Sequence, residues 1–106
     1  MINRILILIL FFSLSVSIAI AGNEQAGFDE ICRIYTEALN SNMPKQQMSD
    51  YVFDNVKKRV QVKDALEAHS AVFNLAPQER YTIFKQSAEM SLKNSWDCPA
   101  AKELMQ

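Results

Sequence analysis

Apolar residues recur along most of this chain at the three- and four-residue steps of an α-helix. The first such segment runs from about Glu24 to Leu39, with Asp29, Arg33 and Glu37 at i,i+4 steps on its polar side. Its apolar face comprises Phe28, Ile31, Cys32, Tyr35, Ala38 and Leu39. Strict alternation of apolar and polar residues is absent, and no glycine follows Gly27, although tight hairpins usually need one. The pattern therefore predicts an all-α fold.

The same periodicity predicts further helices, and proline positions suggest where they start. We place them from near Pro44, from about Asp64 to Asn74, from Pro77 to near Asn94, and after Pro99. The helix after Pro44 is expected to turn Met48, Val52, Phe53, Val56 and Val60 inward. Tyr51 lies off that stripe. The prediction is a small bundle of four helices plus a short C-terminal helix.

Residues 1–21 have the layout of a secretory signal peptide. Arg4 gives a positively charged start, an uncharged run of Ile, Leu and Phe extends from Ile5 to Ile20, and Ala19-Ile20-Ala21 resembles a cleavage motif. An uncleaved anchor is the alternative, but about 16 apolar residues are short for a membrane span. We therefore predict cleavage after Ala21 and a periplasmic or secreted protein. Residues 22–106, about 85 residues, are enough for one small domain.

Export changes the interpretation of the two cysteines, Cys32 and Cys98. An even number of cysteines in an exported domain favours a disulfide. Two cysteines allow one intramolecular pairing, which would close a loop of about 66 residues. A metal or redox site is the alternative, but no zinc-ligand spacing and no C-x-x-C motif is present. We predict a structural disulfide that links the first helix to the start of the last segment.

Charge and motifs argue against several functional classes. After residue 21 the net charge is about −2, which does not suggest a nucleic-acid partner, and no later apolar run is long enough to span a membrane. The sequence has no glycine-rich phosphate loop, no serine-nucleophile motif and no His–carboxylate cluster with ligand spacing. We therefore expect a protein that is not an enzyme, with no catalytic residue, cofactor or metal site.

Four residues remain as candidates for function. Ile83 and Met90 are seven residues apart, opposite the main apolar face of the fourth helix, so they either belong to a second buried face or form a partner-binding stripe. Tyr51 is a third candidate for partner binding. His69 lies at the centre of the third helix's apolar face, either as a core histidine with one hydrogen-bond partner or as a pH sensor.

These features favour a protein-interaction module of the cell envelope, such as an inhibitor, an immunity-type factor or an assembly accessory factor. Its partner is expected to be another protein, with a homodimer as a further possibility. Two alternatives remain open. One is a periplasmic stress chaperone that exposes apolar surface on a pH change, suggested by His69. The other is a carrier of a small apolar ligand, which requires an internal cavity.

Overall fold

The computed structural model describes residues 23–106, and these residues form five α-helices and no strand. Helix α1 covers residues 23–40. The others are α2 (Lys45–Arg59), α3 (Lys63–Val72), α4 (Pro77–Leu92) and α5 (Pro99–Met105). The predicted all-α bundle of four helices plus a short C-terminal helix is confirmed. The predicted signal peptide, residues 1–21, lies outside the described residues.

Prolines and two left-handed residues set the helix boundaries. Pro77 and Pro99 open α4 and α5, and Pro44 is the N-cap of α2, which suits a residue with fixed φ and no N–H to donate. Asn42, with φ 62°, lies in the turn after α1. Helix α4 ends at Leu92, and Lys93, with φ 54°, is its C-cap. Asn94 accepts a hydrogen bond from the Ser95 amide through its side chain.

The core is built around α1, whose buried residues cover a wide arc of the helix. They are Phe28, Ile31, Ile34, Tyr35 and Ala38. Helix α2 adds Val52 and Val56, and α3 adds Ala65, His69 and Val72. Helix α4 buries Tyr81, Phe84 and Ala88, and α5 buries Ala100, Ala101 and Met105. Every helix thus presents one face to the same core, as a bundle requires.

One inward assignment was wrong: Phe53 is 43 % exposed. The buried stripe of α2 and the residue after it is Val52, Val56 and Val60, at steps of four. Phe53 is about 100° from Val52 around the helix, so it points past the core and packs on Phe73 at the end of α3, with ring centroids 4.5 Å apart. Phe53 is therefore a half-covered aromatic at the bundle surface.

Gly27 is required by a close approach between α1 and the segment that joins α2 to α3. A Cβ atom at this position would lie 2.7 Å from the Cβ of Val62. Since that separation is shorter than van der Waals contact, any larger residue would push α1 away from this connection. The constraint is one of space, because Gly27 lies within a regular helix.

Within residues 23–106, no helix is both long enough and apolar enough to cross a membrane.

Candidate functional site

The disulfide between Cys32 and Cys98 is formed, with a Cα–Cα distance of 5.7 Å. It joins the middle of α1 to the residue that precedes α5, as the sequence predicted. Cys98 is fully buried. The bond therefore holds the last segment of the chain against the central helix.

Polar contacts that the sequence did not reveal fix the residues around Cys98. The Tyr81 hydroxyl donates a short hydrogen bond to the Asp97 carboxylate and accepts one from the Cys98 amide, at 2.8 Å. Burial, aided by the bond to Asp97, raises the pKa of Tyr81 to about 12. The hydrogen bond from Tyr81 lowers the pKa of Asp97. Tyr81 thus stays protonated and orders the chain just before α5.

Trp96 closes the same end of the bundle. Its ring meets Phe84 edge-on at 5.5 Å and Phe28 at 6.0 Å between centroids. Its indole N–H donates to the Asp29 carboxylate at 3.3 Å, and its carbonyl accepts from the Lys85 ammonium. A buried tryptophan with a satisfied N–H is a packing element.

His69 is buried at the centre of an aromatic cluster, which we define as Tyr35, Phe53, His69, Phe73 and Phe84 and which reaches the surface at Phe53. Its Nε2 atom is 2.7 Å from the Tyr35 hydroxyl, and the side chain is 2 % exposed. The Phe73, Phe53 and Phe84 rings lie 5.1 to 5.9 Å away. Burial lowers the pKa of His69 to about 4 and raises that of Tyr35 well above its usual value. His69 is therefore neutral at pH 7, and Tyr35 can donate to it.

Charged groups come close to this cluster on two sides. Asp54 and Lys57 of α2 line the surface groove that His69 borders. Arg80 of α4 packs over the Phe73 ring at 5.0 Å, and its charge opposes the rise in the pKa of Tyr35. No carboxylate is hydrogen-bonded to the imidazole among residues 23–106. No described carboxylate therefore stabilises the protonated imidazole through a hydrogen bond, and burial lowers the pKa of His69.

A second depression borders Phe53 on its other side. It is lined by Tyr35, Lys45, Met48, Ser49, Val52, Phe53, Phe73 and Leu104. Its volume is about 30 Å³, room for roughly one water molecule. This depression is too small for a ligand, since ligand pockets usually offer at least several hundred Å³. The groove that His69 borders has a volume of about 480 Å³, but it is open at the surface and is not the internal cavity that the carrier hypothesis requires.

Tyr51 takes part in a polar network between α1 and α2. Its hydroxyl donates to the Glu37 carboxylate at 3.0 Å. Arg59 binds the same carboxylate through two nitrogens, at 2.7 and 3.1 Å, and also bonds Glu30. The hydrogen bond from Arg59 is the main reason that the pKa of Glu37 is lowered. Tyr51 thus has an intramolecular role between α1 and α2, whereas Ile83 and Met90 lie on α4.

Ile83 and Met90 lie on the outer side of α4. Ile83 is 40 % exposed and Met90 is 79 % exposed. The helix is held to the core by its opposite side, through Tyr81, Phe84 and Ala88. We define the outer face of α4 as the exposed residues Glu79, Ile83, Gln86, Met90 and Lys93. Of the two alternatives for this stripe, the structure has the exposed one.

The described residues contain no group of three or more His, Cys, Asp or Glu side chains placed to hold a metal ion. Comparison of the chain with protein-family models, curated proteins and solved structures gives no match.

Proposed function

We propose that this protein is an exported, non-catalytic protein-binding module of the cell envelope, and that the outer face of α4 binds its partner. The observation that carries the proposal is the exposure of Met90 in line with Ile83. Single apolar residues on a surface are ordinary, but two that lie about two turns apart on the same side of one helix can both be reached by a single partner. Methionine is also well suited to a binding surface because it adapts its shape.

A non-catalytic role is supported by the partners of the groups whose pKa is displaced. His69 is bonded to Tyr35, Tyr81 to Asp97, and Tyr51 to Glu37. Each pair joins different parts of the bundle, so each has a structural reason for its environment. Displaced pKa values are a sign of catalysis only where such groups converge on a cleft.

Export is part of the proposal because it explains the oxidised cysteines. A disulfide persists in the periplasm or outside the cell and is rare in the cytosol. The pattern of residues 1–21 supports the same location. Protein recovered from the envelope or medium should begin at Gly22. Recovery of a chain that still begins at Met1 would count against cleavage.

Site-specific photo-crosslinking tests the binding surface. A photoreactive amino acid at position 90 should give one discrete adduct in cells, since Met90 would lie in the contact. The matched control is the same amino acid at Ser70, which is exposed on α3. Ile83→Glu should abolish the adduct from position 90 without unfolding the bundle. Equal labelling from positions 70 and 90 would refute a specific surface on α4.

The buried His69 favours a second candidate function, a chaperone that loosens in acid. The unfolded chain takes up a proton near pH 6.5, whereas folded His69 takes it up only near pH 4. Between these values the unfolded state binds more protons, so the free energy of unfolding falls as the pH falls. We expect this one group to remove about 3 kcal/mol between pH 7 and pH 4. Urea denaturation at each pH measures the loss.

His69→Gln is the control for this pH dependence. Glutamine can accept the Tyr35 hydrogen bond but does not titrate. The variant should be less stable at pH 7 and nearly flat between pH 6.5 and pH 4.5. The lowered pKa values of Glu37 and Asp97 add to the loss of stability from about pH 4.5 and pH 3.8 downwards, where these carboxylates gain protons in the unfolded chain before the folded one. If the wild type is equally flat, or if no apolar surface becomes accessible to a dye at pH 4, this candidate fails.

A further inference from the structure

The exposed residues of α4's outer face follow a regular spacing. Glu79, Ile83, Gln86, Met90 and Lys93 are separated by steps of four, three, four and three. This is the spacing of the contact positions in a coiled coil. On a helical projection the first four residues centre opposite Tyr81, Phe84 and Ala88, which face the core, and Lys93 follows as the C-cap. The outer face thus has the spacing of a helix-pairing seam of about 21 Å in length, with apolar residues at two of its five positions.

The charges at its two ends have opposite sign. Glu79 lies in the first turn of α4, and Lys93 is its C-cap. Within residues 23–106 neither forms an ion pair. The two apolar residues lie between them, with the uncharged Gln86 in the middle. The face is therefore complementary to itself when one copy is turned end for end.

We infer that the partner of this face is a second copy of the same chain, with the two α4 helices antiparallel. The inference rests on the proposed function, since it names the partner for the same surface. Ile83 packs against the partner's Met90, and Glu79 pairs with the partner's Lys93. Gln86 lies near the two-fold axis. An isologous contact of this kind closes on itself and gives a dimer.

The antiparallel arrangement is favoured by charge. A parallel pair would place Glu79 beside the partner's Glu79 and Lys93 beside the partner's Lys93, with repulsion at both ends. Turning one helix over replaces both repulsions with attractions and also opposes the helix dipoles. The residues that flank the middle of the seam, Thr82 and Ser87, are small enough to allow close approach.

The size of the seam indicates a reversible dimer. Each copy contributes one helix with two apolar residues. Such a contact is small beside stable interfaces, which usually bury at least about 1,200 Å² of total surface. We therefore expect exchange between monomer and dimer at micromolar to millimolar concentration. Charge pairs at the rim should set the register more than the affinity.

Sedimentation equilibrium of purified, oxidised protein tests this inference. Met90→Glu should weaken the dimer at least tenfold, whereas Gln46→Glu, an exposed control of the same charge change on α2, should leave it unchanged. Glu79→Lys and Lys93→Glu should each weaken it several-fold. The double variant Glu79→Lys/Lys93→Glu should restore it to within about twofold, because the charges are exchanged between ends.

The outcomes separate this inference from the proposed function. A monomer at all accessible concentrations, or a dimer that is insensitive to Met90→Glu, overturns the second copy as partner. A dimer that the double charge exchange does not restore overturns the antiparallel register. If the protein is monomeric but position 90 crosslinks to a different protein in cells, the binding surface stands and only its partner changes. If neither a dimer nor an adduct forms, both proposals fail.

Discussion

Replacing both cysteines, as Cys32→Ser/Cys98→Ser, should lower the free energy of unfolding by about 4 kcal/mol. The disulfide spans 66 residues of sequence, so it removes a large loop entropy from the unfolded chain. A domain of this size has a net stability of only about 4 to 13 kcal/mol. The melting temperature should therefore fall by roughly 20 °C. Differential scanning calorimetry or urea denaturation measures the change.

Reduced wild-type protein is the control for the cysteine variant. It loses the cross-link but keeps both sulfur atoms, so it separates loop entropy from the packing of buried Cys98. The reduced protein and the double variant should agree to within about 1 kcal/mol, the range of a minor packing change. If the reduced and oxidised wild-type proteins unfold at the same urea concentration, the disulfide is not a principal source of stability.

Phe84→Ala is the second substitution with a large expected effect, a loss of about 3 to 5 kcal/mol. Phe84 is fully buried, and its ring contacts those of Phe28, His69 and Trp96 at centroid distances of 5.5 to 5.9 Å. Removing the ring leaves a cavity between α1, α3 and the segment before α5. Urea denaturation at pH 7 measures the loss.

Ile83→Ala is the matched control, since Ile83 is the preceding residue of the same helix and lies on the outer face. It should cost less than about 1 kcal/mol, because little packing is lost at a partly exposed site. The contrast tests which side of α4 faces the core. If the two alanine variants are equally destabilised, α4 does not face the core with Phe84 inward and Ile83 outward.

The helices and the disulfide could be predicted because each depends on local or one-to-one information. Apolar spacing marks the face that a helix buries, and proline marks where a helix starts. Two cysteines in an exported chain allow only one pairing. His69 could also be placed in the core, because it lies among apolar positions on one face of α3.

The remaining features depend on which helices meet, and periodicity does not carry that information. Phe53 was assigned to the inward stripe of α2 from the apolar spacing, but it lies at the surface and is 43 % exposed. Ile34 was not assigned to the core face, yet α1 is surrounded on enough sides to bury it. The bonds of Tyr81 to Asp97 and of Tyr51 to Glu37 join residues that lie 16 and 14 positions apart.

The outer face of α4 could be predicted in part from the sequence. The sequence identified Ile83 and Met90 as a separate stripe, but it could not say whether another helix covers them. In the folded chain α4 packs against α3 and α5, and Met90 stays largely exposed. The sequence alone did not single out Glu79 and Lys93, because their opposite charges lie at the two ends of one surface only if that surface is exposed.

Methionine footprinting in cells tests most directly whether the outer face of α4 is a binding surface. In dilute purified protein, brief peroxide treatment should oxidise Met90 fastest and buried Met105 slowest, with half-buried Met43 between them. In intact cells, a partner on the outer face of α4 should protect Met90 several-fold, while Met43 should react at the same rate as in the purified protein. Oxidation of Met90 at the same rate in cells and in dilute solution would contradict this prediction.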